Sequence, residues 1–248
     1  MENIFDEILA TFENDDLKDF FVNKCIPTIP DYWYHAPASS SGMFHSPISL
    51  GDGGLMRHTL ALVRILNYMF EVEVVKNQYT SRERDLLRIA GLMHDTRKSG
   101  SQEEYNENKQ TKFDHPLKAA KIIYSLDGID EAEKKLICQV IARHMGVFNT
   151  SKRMPDVILP IPQNKYDAIV HLCDYIVSRK DIEMKFDSKY MGEPEPIPDI
   201  NDYKFDFGKH SGKTIPEVYA IDPGYIHWAK HNMEKEPARS LLKEFKTA

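Results

Sequence analysis

The chain has 248 residues, of which 42% are hydrophobic and 28% charged, with only 12 glycines and 14 prolines. This composition excludes collagenous, disordered and disulfide-scaffold proteins. The formal net charge is −6, and residues 1–50 hold eight acidic and two basic side chains, so the remainder is electrically balanced. Proteins that bind long duplex DNA usually carry a surplus of basic residues, which this chain lacks. We therefore expect any nucleic-acid contact to be confined to a small part of the surface.

Apolar positions three and four residues apart predict a mostly α-helical bundle through the first 180 residues, with no strand pattern. The predicted helices are 55–72, 81–93, 115–126, 131–144 and 166–181. Asp114 or His115 is expected to cap the third helix, because Pro116 occupies its first turn. Three prolines make 146–163 a loop.

Composition also predicts the domain organisation. Residues 1–30 form an N-terminal helical segment, 31–190 the main domain, 191–202 a proline-rich extended linker, and 203–248 a small C-terminal module. Short apolar runs around a glycine-containing turn at 205–214 predict a hairpin, and two short helices are expected within 216–246. The C-terminal module is therefore predicted to be α+β.

The three cysteines lack a CxxC spacing, which indicates small buried hydrophobic side chains in a reducing compartment. The first seven residues lack the basic and apolar segments of a signal peptide. The apolar stretch 60–70 is interrupted by polar residues and is too short to span a membrane. We expect a cytoplasmic protein without membrane contact, and the sequence leaves its oligomeric state open.

Several side chains suited to metal binding fall at predicted helix ends, which favours a shared site. His94 and Asp95 are adjacent at the end of an apolar helix, so an imidazole and a carboxylate could converge on one cation. Asp174 lies on the apolar side of its helix, where an unpaired carboxylate costs several kcal/mol. The candidate metal-binding residues are His58, His94, Asp95, His115, His144 and Asp174.

Their order resembles the HD-domain superfamily of metal-dependent phosphohydrolases. Longer motifs are similar to the HD domain of YhaM-type 3′-to-5′ exoribonucleases over about residues 30–182, at 34–38 (YHAPA), 53–60 (GGLMRHTL), 91–95 (GLMHD), 142–146 (ARHMG) and 168–174 (AIVHLCD). The resemblance implies one metal held by His58, His94, Asp95 and Asp174. It implies a second held by His115 and His144, with Asp95 bridging; Mn²⁺, Fe²⁺, Ni²⁺ and Co²⁺ suit these ligands.

The chain departs from the pattern of such domains at two positions. Thr96-Arg97-Lys98 stands where Ile-Gly-Lys is common, which keeps the lysine and adds a charge. Arg143 precedes His144, where the family often has two histidines. We expect Asp95 to take part in catalysis by a metal-activated hydroxide, and Lys98 or Arg97 to bind the phosphate.

The C-terminal stretch 205–228 resembles the small module at the C-terminus of exodeoxyribonuclease X-like proteins. Three residues, rather than four, separate Gly208 from Gly212, which excludes a P-loop. The predicted phosphate-contacting residues are Lys209, His210 and Lys213, and the predicted aromatic residues are Tyr225 and Trp228. The two aromatic side chains could either stack on bases or form the core of the module.

These observations predict a metal-dependent phosphohydrolase that acts on a nucleotide or on a single-stranded nucleic-acid 3′ end. The motif match favours the polymer, whereas the acidic balance favours a small nucleotide such as a dNTP or NMP. Two other interpretations stay open: an HD protein that binds a nucleotide without turnover, and a di-iron site that activates O₂.

Overall fold

The computed structural model describes residues 4–39, 46–180, 182, 198–206, 208–233 and 237–245. The chain divides into two compact units, Met1–Gly192 and Glu193–Ala248. The described residues are predominantly helical, which confirms the prediction of a mostly α protein. None of the helices in the described ranges has the length and apolarity needed to cross a membrane.

The first unit begins with two short helices, α1 (Asp6–Leu9) and α2 (Asp15–Phe20). A π-helical turn at Phe21–Cys25 and 3₁₀ turns at Ile26–Thr28, Asp31–Tyr34 and Pro47–Ser49 follow. Apolar side chains of this segment, Trp33 among them, are buried in the same core as the later helices. The N-terminal segment is thus an integral part of the bundle.

Seven further helices form the bundle itself in the described part of the first unit. They are α3 (Gly54–Glu71), α4 (Glu73–Lys76), α5 (Ser81–Met93), α6 (Gln102–Glu107), α7 (His115–Ser125), α8 (Glu131–Arg143) and α9 (Lys165–Val177). Capping boxes begin α5, α6 and α8, where a Thr, Ser or Asp side chain accepts from the third helical N–H. The sequence therefore marks the start of three of these helices locally.

Helix α3 packs against α5 and α9, and α8 packs against α5, α7 and α9. The core between them is built from buried aliphatic side chains such as Leu62 and Val63 of α3 and Leu87 of α5. A side chain at Gly91 would place its Cβ 2.8 Å from Leu62 Cδ2. Gly91 therefore lets α3 and α5 approach closely, which brings the ends of these helices together.

A buried carboxylate fixes the N-terminal segment to α5. Asp85 is completely buried and accepts hydrogen bonds from the backbone N–H groups of Glu13 (2.9 Å) and Asn14 (2.8 Å). Arg88 donates to the same carboxylate at 2.5 Å. Because burying an unpaired charge is costly, this network stabilises one arrangement of the segment on the bundle.

The observed helix ends lie within one residue of the predicted ones, except at the C-terminal end of α9. This helix was predicted to continue to Asp181, but it ends at Val177. The Ser178 hydroxyl donates to the Asp174 carbonyl at 2.9 Å and competes with further helical hydrogen bonds. Asp181 and residues 191–197 of the predicted linker lie outside the described residues.

The second unit contains α10 (Ile215–Ile221), α11 (Pro223–Asn232) and α12 (Ala238–Glu244) around a small apolar core. The predicted count of two helices was wrong by one. The predicted hairpin is reduced, in the described part of the unit, to one antiparallel bridge between Lys204 and Thr214. Thr214 already caps α10 by accepting from the Glu217 N–H, so the chain enters a helix before a second strand can extend.

Candidate metal centre

The structure brings together the six side chains that the sequence singled out. His58 lies in α3, His94 and Asp95 follow α5, His115 begins α7, His144 follows α8, and Asp174 lies in α9. Three overlapping groups have candidate ligand atoms within 4.8 Å of one another: His58, His94 and Asp95; His94, His144 and Asp174; and Asp95, His115 and His144. Three helix ends, those of α5, α7 and α8, and the interiors of two helices, α3 and α9, therefore meet at one buried cluster.

Asp95 lies at the centre of this cluster, and its two carboxylate oxygens face different histidines. Oδ2 lies 3.5 Å from His94 Nε2 and 3.9 Å from His58 Nε2. Oδ1 lies 2.9 Å from His115 Nε2 and 3.5 Å from His144 Nε2. A carboxylate in this position could contact two cations, one through each oxygen.

Three of the histidines are oriented by the backbone. The Nδ1 atoms of His94, His115 and His144 lie 2.7, 2.6 and 2.8 Å from the carbonyl oxygen of the residue three positions earlier. A carbonyl oxygen can only accept, so Nδ1 carries the proton and donates. Each Nε2 is then left with a lone pair directed into the cluster, which is the state required of a metal ligand.

These lone pairs lack the partners that a closed polar network would provide. Among the described residues, His94 Nε2 is buried and has no hydrogen-bond partner. The Nε2 atoms of His115 and His144 lie 3.4 Å apart, and with both Nδ1 atoms protonated neither Nε2 can donate to the other. Buried polar atoms are rarely left without hydrogen-bond partners. A bound cation would accept the lone pair of His94 and those of His115 and His144. The donor set therefore fits a divalent metal.

The charges of the cluster are consistent with a cation site. Burial raises the pKa of Asp95, but Lys98 and His94 outweigh it and hold that pKa well below its usual range. Burial likewise opposes ionisation of Asp174, yet its contact with His58, 3.0 Å away, lowers the pKa of that carboxyl. Burial, reinforced by Lys98, lowers the pKa of His115 to about 4, so this imidazole is neutral at pH 7.

His94 behaves differently because it faces both carboxylates. Burial alone would lower its pKa, but Asp95 and Asp174 outweigh burial and raise it. The same negative field that increases the proton affinity of His94 would attract a metal cation to its Nε2 atom. The cluster therefore contains two carboxylates, Asp95 and Asp174, beside one ammonium group, that of Lys98.

The two basic residues expected to bind phosphate point to different partners. Lys98 Nζ lies 2.8 Å from Asp95 Oδ2, directly at the cluster. Arg97 instead donates to the Thr28 carbonyl at 2.8 Å, in the N-terminal segment. The loop that carries both is held by buried Tyr32, whose hydroxyl donates to the Gly100 carbonyl at 2.9 Å.

Sequence reasoning did not single out His171 or Gly146, which support the cluster. His171 lies one helical turn before Asp174 in α9, and its Nδ1 lies 2.6 Å from the His144 carbonyl. Gly146 has φ +57°, and a Cβ there would lie 2.2 Å from the His171 ring. The signal in the sequence was a glycine two residues after one candidate ligand and a histidine three before another.

Two of the three predicted phosphate-contacting residues of the second unit, Lys209 and His210, are already paired with one carboxylate. Asp222 accepts from His210 Nε2 (2.9 Å) and lies 2.6 Å from Lys209 Nζ. Tyr225 packs against the small core, whereas Trp228 is 51% exposed. The core interpretation therefore describes Tyr225 but not Trp228.

Comparison with known families agrees with this geometry. A family model described as "HD domain" matches residues 55–178, half of the chain, and contains all six clustered residues. A second model, "Exodeoxyribonuclease X-like C-terminal", matches residues 205–234. No curated protein and no solved structure gave a match. The chain thus belongs to the HD-domain family, and its second unit is similar to the C-terminal domain of exodeoxyribonuclease X-like proteins.

Proposed function

We propose that the chain hydrolyses phosphoester bonds of nucleotides or of nucleic-acid 3′ ends. Membership of the HD family implies a metal-dependent phosphohydrolase, and the C-terminal match supports a nucleotide or nucleic-acid substrate. The observation that carries the proposal is the Asp95 carboxylate, whose two oxygens face two sets of imidazoles within one buried cluster. The metal ligands proposed are His58, His94, Asp95, His115, His144 and Asp174, for one or two ions.

Neutral imidazole nitrogens and carboxylate oxygens suit Mn²⁺, Fe²⁺, Co²⁺ or Ni²⁺. Such an ion supplies Lewis-acid chemistry, lowering the pKa of water and neutralising charge on phosphoryl oxygens. Lys98 holds Asp95 ionised with one of its three N–H donors and has two left for a phosphoryl oxygen of the substrate. A phosphate contact by Arg97 stays a prediction, since its guanidinium bonds to Thr28.

The exposure of the cluster gives a direction of approach. The Asp174 side chain is 17% exposed, whereas those of the other five residues are at most 1% exposed. The substrate therefore reaches the cluster from the side of Asp174. Water is excluded from the remaining sides, which strengthens the electrostatic attraction between Lys98 and a phosphate group of the substrate.

Metal content is the first test. Elemental analysis of protein purified without chelator should find one to two transition-metal ions per chain, lost in Asp95→Ala and kept in the control Asp202→Ala, an exposed position in the second unit. His227 and His231 form an exposed imidazole pair, with ring centroids 4.8 Å apart, that could chelate metal weakly. All variants should therefore carry His231→Gln. Absence of metal, and of uptake on titration, would refute the hydrolase and leave a nucleotide-binding HD protein.

Substrate class is the second test. Bis(p-nitrophenyl) phosphate, nucleotides and 3′-ended oligonucleotides should be assayed with Mn²⁺, each with Lys98→Ala beside the wild type. A polymer substrate should lose affinity steeply between low and high salt, whereas a mononucleotide should lose little. Turnover under strictly anaerobic conditions is expected, because phosphoester hydrolysis needs no O₂. Activity that appears only with O₂ would support the oxygenase interpretation instead.

A further inference from the structure

A row of three side chains leads away from the metal centre along α9 and just past its end. His171 and Tyr175 lie four residues apart on one side of α9, and Arg179 follows two residues after the helix ends at Val177. The His171 and Tyr175 rings have centroids 6.4 Å apart, and the Arg179 guanidinium carbon lies 4.2 Å from the Tyr175 centroid. We call these three residues the α9 stripe. Since His171 also bonds to the His144 carbonyl, the stripe begins at the cluster itself.

The outer two members of the stripe are available to a ligand. Tyr175 is 43% exposed and directly follows Asp174, the exposed edge of the cluster. Arg179 is half-buried and donates weakly to the Tyr175 hydroxyl at 3.4 Å; its Nε is a buried atom without a hydrogen-bond partner among the described residues. Within the described ranges, no carboxylate lies within 4 Å of this guanidinium, unlike Arg64, Arg82, Arg84, Arg88 and Arg143.

The chemistry of the stripe selects a ligand class. A half-exposed phenol ring offers a face for stacking, and an arginine over it offers further stacking together with donors for a phosphate. A nucleobase with a neighbouring phosphate presents both complementary groups, and base–aromatic stacking tolerates any base. A simple phosphomonoester has neither a base nor a second phosphate. With its phosphate at the metal centre, it would contact neither the Tyr175 ring nor Arg179.

We infer that the α9 stripe binds the nucleobase and adjacent phosphate of the substrate, with Tyr175 stacking on the base and Arg179 contacting the phosphate. This inference rests on the proposed function, because it names the part of the substrate that is held while the phosphoester lies at the metal centre. It makes Tyr175 and Arg179 specificity-determining residues of that centre, and His171 the positioning residue that joins them to His144.

Binding can be tested without relying on turnover. Fluorescence anisotropy of a 5′-fluorescein-labelled single-stranded oligonucleotide, and calorimetry with a mononucleotide, would give Kd values in the presence of Mn²⁺. The variants are Tyr175→Ala, Tyr175→Phe and Arg179→Lys. Tyr68→Ala is the control, because Tyr68 is 60% exposed on α3, outside the stripe. Circular dichroism melts would show that each variant is folded.

Tyr175→Ala should raise Kd about 5- to 150-fold, the range measured for loss of base–aromatic stacking. Tyr175→Phe should stay within about twofold because it keeps the ring, and Arg179→Lys should weaken binding because lysine keeps the charge but not the planar group. In turnover with nucleotides, the loss should appear in KM more than in kcat. An equal Kd in Tyr175→Ala and wild type, or an equal loss in Tyr68→Ala, would overturn the inference.

The outcome also separates this inference from the proposed function. Nucleotide binding that depends on Tyr175, without hydrolysis of any substrate, would keep the stripe and refute the hydrolase. Hydrolysis that is indifferent to Tyr175 and Arg179 would keep the hydrolase and refute the stripe. Absence of nucleotide binding by the wild-type protein would overturn the stripe outright.

Discussion

Metal binding should stabilise the first unit strongly, because the candidate ligands are already oriented. The Nδ1 atoms of His94, His115 and His144 are bonded to backbone carbonyls, so little reorganisation opposes binding. At a free metal concentration 1,000 times Kd, the free energy of unfolding should rise by about 4 kcal/mol. For a unit of this size each kcal/mol shifts Tm by about 2–4 °C, which gives an increase of about 8–16 °C.

The assay is thermal unfolding followed by tryptophan fluorescence during titration with Mn²⁺ or Co²⁺. Trp33 is fully buried in the first unit, and Trp228 lies in the second, so a Trp228→Phe background isolates the first signal. His231→Gln in the same background removes the exposed imidazole pair. Saturation without a rise in Tm would refute the reasoning, as would an equal rise in Asp95→Ala.

Four further predictions follow from the structure. Gly146→Ala should cost about 1–2 kcal/mol from its left-handed φ alone and weaken metal binding by displacing the His171 ring, measured as Tm and metal Kd. Asp85→Leu should lower the free energy of unfolding by about 3–5 kcal/mol in urea titration, because buried Arg88 loses its closer carboxylate and two backbone N–H groups lose their acceptor. Burial raises the pKa of Cys173 to about 12, so this thiol should resist a thiol reagent at pH 8 in the native chain and react fully in urea. The Lys209 contact holds the pKa of Asp222 below its usual 3.8, so this carboxylate stabilises the second unit above that pH. The Tm difference between wild type and Asp222→Asn should therefore disappear as the pH falls through 3.8 and below. A Tm difference that stays constant with pH would contradict the assignment.

Much of the fold could be predicted from the sequence because local signals agree with the packing. Helix α5 was predicted with its observed ends from its apolar period, and the structure adds a Thr80–Glu83 capping box at its start. The convergence of six side chains also followed from local reasoning, because helix ends in a bundle meet at few places. Contacts between distant residues had no such signal. Tyr32 supports the loop after Asp95 across 68 residues, to Gly100, and no pattern near either position indicates it.

The side chains of the second unit show a related limit. Lys209 and His210 were predicted to contact phosphate because they lie in a glycine-bounded turn. Their pairing with Asp222 depends on where α11 begins, which the turn itself does not encode. The predicted hairpin is likewise reduced to one bridge because Thr214 caps α10, and the turn does not encode where that helix begins.

The attachment of three imidazoles to main-chain carbonyls has a consequence for how the sequence can vary. Because each ring takes its orientation from its own backbone, three residues earlier, no neighbouring side chain has to be retained to aim it. Mutations on the outer faces of these helices can accumulate without misaligning the ligands. Insertions or deletions near the helix ends, by contrast, would disrupt the centre even when all six residues are preserved. The geometry of this site therefore depends mainly on where the helices begin and end.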